Sequence, residues 1–171
     1  MKSVLIVYAS KTGTTQDVAV ALAQKLPSAQ AFDCCRKAGQ DAHKELNVSD
    51  YDIVVLGTAM YIGAPMKTFK AFVAKHKDAL ANKPTVFFTC GVGTQEEDRQ
   101  YLQKSLPEPL KAGPIIYRHM GGEVRAEKMS GLAKLAMREY EKKNGAAPGI
   151  DWNAVDALAE QITAMMGEKI S

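Results

Sequence analysis

At 171 residues the chain is long enough for one well-buried core and too short for two comfortable ones. Its 46% apolar and 24% charged residues are ordinary for a globular chain, and a net charge of +3 gives no ground for a nucleic-acid partner. Three cysteines, two of them adjacent (Cys34, Cys35), build no disulfide framework, and the N-terminal apolar run stops at Ala9, short of a secretory or membrane-spanning segment, so the expected setting is the cytoplasm.

Residues 3–9, SVLIVYA, form a continuous apolar run, the pattern of a strand buried on both faces. Val18, Ala19, Leu22, Ala23 and Leu26 then recur at helical spacing over 14–26, and Pro27 closes that helix. A short strand is expected at 30–33 and a short helix at 41–46. YDIVVLG at 51–57 reads as a second buried strand. Residues 65–80 predict a helix with Pro65 in its first turn, Phe69, Phe72, Val73 and His76 on one face, and His76 toward its end. TVFFTC at 85–90 is a third buried strand, followed by a helix over 97–106 and a strand over 115–120. The last helix is expected over 151–166, with Asp151 as N-cap and Trp152, Val155, Leu158, Ala159 and Ile162 facing inward.

Between that strand and that helix, residues 121–145 form a helical insertion whose Met129, Leu132, Ala133, Ala136 and Tyr140 share one stripe. The surrounding stretch, 111–143, carries eight Lys or Arg against four Glu. The insertion is read either as a helix docked on the protein's own core or as a basic lid that meets a partner or a membrane surface.

Strands alternating with helices predict parallel βαβ units and a doubly wound sheet. The whole of 1–171 is expected to be one domain, a three-layer α/β/α sandwich with a five-stranded parallel sheet of order 2-1-3-4-5. Ligands of such sheets lie beyond the carboxyl ends of the strands, where the winding reverses. That rule selects the loops after Ala9, Gly57 and Cys90.

The first loop, ASKTGTT, suits a phosphate. A helix beginning near Gly13 aims free N–H groups and its positive dipole end into the loop, and Ser10, Thr12, Thr14 and Thr15 add hydroxyls. No counter-cation is called for. The alternative is an N-cap with spare hydroxyls, but four in six positions favour a site. Nucleotide-triphosphate, dinucleotide, nucleophile-elbow and thioredoxin-type motifs are missing. The second loop, GTAMYIGAP, offers Met60, Tyr61 and Ile62 to a planar ring, and the third, CGVGTQEED, offers backbone N–H donors. Taken singly, each of these two is no more than a loop over the sheet edge. His43, His76 and His119 show no metal-ligand spacing, Cys90 reads as a small buried thiol, and no side chain stands out as an acid or base.

VYASKTGTT resembles the flavin mononucleotide (FMN) phosphate loop of flavodoxins. The runs GTAMYIGAPMKTFKAFVAKH, KPTVFFTCGVGTQEED, GGEVRAEKMSGLAKLAM and IDWNAVDALAEQI resemble the flavodoxin-domain branch related to menaquinone-dependent protoporphyrinogen dehydrogenase. The resemblance implies a flavodoxin-like fold and noncovalent FMN. Its phosphate would rest on Ser10, Lys11, Thr12, Gly13, Thr14 and Thr15, and its ring among Ala59, Met60, Tyr61, Ile62, Gly63, Cys90, Gly91, Val92 and Gly93. The third loop has no aromatic and the chain is not acidic, which favours the dehydrogenase-like branch over a small carrier. The implied roles are electron transfer to a redox partner protein or oxidation of a small organic substrate with a quinone acceptor. Residues 121–145 would supply any peripheral membrane contact. A non-redox binder of another phosphate ester is the remaining alternative.

Overall fold

The computed structural model describes residues 1–36 and 46–167. Strand β1 (Val4–Ala9) is buried along its whole length, and its two faces feed two different cores. Val4, Ile6 and Tyr8 pack toward helices α1 (Thr14–Lys25) and α6 (Trp152–Gly167). Leu5, Val7 and Ala9 pack toward α2 (Lys67–Ala81) and α3 (Gln95–Ser105). A strand sandwiched in this way has no polar face, which is why the sequence shows a run rather than an alternation. Each such aliphatic side chain, fully buried, stabilises by about 1.5–3 kcal/mol.

β1 pairs in parallel with β2 (Ala29–Asp33) on one side and β3 (Ile53–Tyr61) on the other. Beyond β3 lie β5 (Thr85–Cys90) and β6 (Ile116–His119), also parallel. The two-residue β4 (Ala64–Pro65) folds back antiparallel on the end of β3. The sheet order is therefore β2-β1-β3-β5-β6, and the five long strands follow the expected 2-1-3-4-5. The remaining elements among the described residues are the short α4 (Glu108–Lys111), a β7–β8 pair (Gly121–Gly122, Gly149–Ile150), α5 (Gly131–Asn144) between them, and two single 3-10 turns at Val48–Asp50 and Ala126–Lys128.

Several boundaries differ from the sequence reading. β3 runs on to Tyr61 because β4 supplies a partner for Met60 and Tyr61. Pro65 consequently belongs to that strand pair rather than to a helical first turn, and α2 starts at Lys67. His76 sits inside α2, stacked on Phe72 at 4.5 Å, and burial lowers its pKa. Asp151 does cap α6, accepting from Ala154 N–H at 3.1 Å. Trp152 is half exposed, one turn before the first residue of its stripe that joins the core. The helix expected over 41–46 lies outside the described residues except for Leu46.

Candidate functional site

Winding reverses between β1 and β3, and a cleft opens beyond the carboxyl ends of β1, β3 and β5. Its floor begins where β1 stops. Ser10 Oγ accepts from the Gly13 N–H at 3.1 Å, curling the loop back on itself. Gly13 caps α1 with φ at 99°, a left-handed conformation that favours glycine, and no side chain caps the helix. The first intrahelical bond runs from Asp17 N–H to Gly13 C=O, so the N–H groups of Thr14, Thr15 and Gln16 have no carbonyl to serve. Thr14 Oγ1 and Thr15 Oγ1 are buried without a well-formed hydrogen bond, although Thr15 lies near enough to the Cys90 thiol, a weak partner, to favour its thiolate a little. An unmet buried hydroxyl costs about 1–3 kcal/mol, so two at one helix start mark a place that an acceptor would complete.

The second wall is the turn between β3 and β4. Ala59 and Met60 are nearly buried, Tyr61 is half-buried, and burial raises the pKa of its phenol. Ile62 and Gly63 both have positive φ, 49° and 67°, the two-residue hairpin pattern that matches strand twist. Ile62 is fully exposed at the tip. Tyr101 of α3 braces the turn from behind: a Cβ on Gly63 would lie 3.0 Å from its ring.

The third wall is the loop after β5. Burial pushes the Cys90 thiol up to about 12, so it is neutral and inert. Gly91 donates its N–H to Gly121 C=O at 2.9 Å, and the Tyr140 hydroxyl donates to Val92 C=O at 2.9 Å. Of the donors expected here, Gly91 is thus already committed, and Val92 and Gly93 remain. Beneath the loop, buried Asp98 sits 3.3 Å from His119 Nδ1. A Cβ on Gly93 would lie 2.7 Å from Asp98 Oδ1, which accounts for glycine at that position.

A roof covers the cleft, and sequence reasoning missed most of it. Gly122, Glu123, Val124, Arg125, Met129 and Met137 line the side facing the three loops. Arg125 reaches across to the first loop. Its Nη2 donates to Asp17 at 2.6 Å and to Glu123 at 2.8 Å, Nε donates to Glu123 at 3.1 Å, and Nη1 lies 3.4 Å from Thr12 C=O. Those carboxylates, Asp17 first, raise its pKa. The cation-free loop expected from sequence is therefore corrected: a guanidinium and the Lys128 ammonium stand beside Gly13. The inward stripe of α5 is also shifted. Ala133, Met137 and Tyr140 are partly covered, whereas Leu132 and Ala136 point outward, Leu132 being 85% exposed.

Of the residues singled out in the sequence, Ser10, Thr12, Thr14, Thr15, Ala59, Met60, Tyr61, Cys90, Gly91 and Val92 line the cleft together. Lys11, Gly13, Ile62, Gly63 and Gly93 lie outside the lining: Lys11 and Ile62 face solvent, and the three glycines shape the turns. The arrangement offers an anion-accepting helix start at one end and apolar, sulfur-rich walls at the other.

The sequence model of a family described as "Flavodoxin domain" matches residues 5–149. Among solved structures, the chain is similar to a flavoprotein from Lactobacillus acidophilus in complex with FMN, at TM-score 0.53 and 14% identity, covering 70% of this chain and 91% of that one. A putative flavoprotein from Bacteroides eggerthii gives TM-score 0.51 and 17% identity, covering 83% of this chain and 97% of that one. A mutant flavodoxin from Fusobacterium nucleatum bound to FMN gives 0.50 and 18%, covering 68% of each. At such identities the likeness is one of fold. No curated protein matches in sequence. With the family's pattern running from the second residue of β1 to the start of β8, on a sheet wound in this order, the chain belongs to the flavodoxin-domain family.

Proposed function

We propose that this chain binds FMN noncovalently in the cleft and passes electrons through it. The observation that carries the reading is the pair of buried, unpartnered hydroxyls on Thr14 and Thr15 at a bare helix start, opening into the same cleft as Met60, Tyr61 and Val92. A phosphate monoester supplies the acceptors those groups lack, held by the loop from Ser10 to Thr15. An isoalloxazine ring matches the apolar end, among Ala59 to Gly63 and Cys90 to Gly93. When bound, the flavin supplies the redox chemistry. The chain's own residues orient it, exclude water through Met129 and Met137, and offer the Val92 amide to its polar edge. The cytoplasm suits three unpaired thiols.

The apolar roof of Val124, Met129 and Met137 favours a second form of this reading, an oxidoreductase that works on an organic substrate and a quinone. That is the activity named for the branch related to menaquinone-dependent protoporphyrinogen dehydrogenase. A small electron carrier that serves a partner protein is the other form. Stepwise reduction of the purified protein, followed by absorption spectroscopy, tests both at once. Flavin bands that bleach on reduction are expected, and recovery of those bands on adding a quinone marks the oxidoreductase. Protein that stays colourless after incubation with FMN contradicts the reading and leaves a binder of some other phosphate ester.

A further inference from the structure

Arg125 belongs to the roof, 113 residues along the chain from the Thr12 carbonyl that it approaches. A guanidinium has five N–H donors in a rigid plane. Here Nε and Nη2 are taken by the Asp17 and Glu123 carboxylates, at 2.6 to 3.1 Å, which fixes the plane. Only Nη1 turns toward the loop: it makes one long contact, 3.4 Å to Thr12, and stands 2.8 Å from where a Gly13 side chain would begin. Lys128 Nζ flanks the same point at 3.5 Å. The side chain of Arg125 is only 17% exposed, so it is held in place rather than free in solvent. One anchored guanidinium nitrogen with no strong acceptor, an ammonium nearby and two orphaned threonine hydroxyls together describe a half-finished anion site.

Resting on the FMN reading, we infer that Arg125 is a phosphate-pairing residue which makes the site select the phosphorylated flavin over riboflavin. The cation also masks Asp17, whose carboxylate stands in the first turn of α1 and would otherwise repel a phosphate there. Losing Arg125 therefore removes an attraction and uncovers a repulsion. Losing Asp17 as well takes that repulsion away.

Binding of FMN and of riboflavin, measured separately by quenching of flavin fluorescence, tests this. Arg125→Met is expected to weaken FMN about 10- to 100-fold, the range for a hydrogen bond to a charged group, with riboflavin changed less than about twofold. Asp17→Asn added to it restores part of the loss, and Arg125→Lys keeps part of the preference. On the unaltered protein, raising salt weakens FMN and leaves riboflavin unmoved, a readout that needs no variant to fold. Equal losses for both flavins, or salt-independent discrimination, would overturn the Arg125 assignment alone. An unaltered protein that binds neither flavin overturns the FMN reading itself.

Discussion

Gly57 shows what one missing methyl group can decide. It lies mid-β3 opposite Phe88, and a Cβ there would sit 2.0 Å from the edge of the buried ring. Phe88 fills the core between the sheet and the α1/α6 layer, so it has nowhere to retreat. Gly57→Ala is expected to destabilise by about 1–3 kcal/mol, read as a lower denaturant midpoint. An unchanged midpoint would mean that the core yields. Ile62 poses the opposite case. A β-branched residue at positive φ carries about 1–2 kcal/mol of strain, and full exposure gives it no packing in return. Ile62→Asn is expected to raise stability by about 1 kcal/mol, because the new side chain suits the turn. Lower stability would show that the turn is not strained.

At the scale of elements, legibility followed burial. β1, β3 and β5 announce themselves because both faces are covered and, Thr58, Thr85 and Thr89 apart, no residue carries a strongly polar side chain. α6 declares its inward face for the same reason, with Val155, Leu158, Ala159 and Ile162 buried in one stripe. α5 does not. It buries no residue fully and carries apolar groups on both sides, so the sequence pattern placed Leu132 and Ala136 inward while the cleft takes Met137. Leu132 and Leu135 are left 85% and 59% exposed on a helix with Lys142 and Lys143 in its last turn. That outer face suits the proposed peripheral contact with an anionic membrane. Co-sedimentation with vesicles rich in phosphatidylserine at low salt should recover the protein, and Leu132→Ser with Leu135→Ser should release it. A protein left in the supernatant from the start rules the contact out.

For the molecule as a whole, the winding rule does the assembling. Three loops separated by dozens of residues meet because β1, β3 and β5 are neighbours in one parallel sheet, and this much follows from the strand pattern. The roof was not legible, since nothing local in GGEVRAEKM says that Arg125 will cross to Thr12 and Asp17. The spent donor on Gly91 was equally hidden, because its acceptor, Gly121, comes from the inserted segment. What remains central is the ligand at the helix start. Titration of FMN into the apoprotein, followed by quenching of flavin fluorescence, addresses it directly. The account predicts saturation at one FMN per chain and at least about tenfold weaker binding after Thr14→Val with Thr15→Val, which remove the two orphaned hydroxyls. Added FMN that fluoresces as it does without protein, or affinity indifferent to both substitutions, would contradict it.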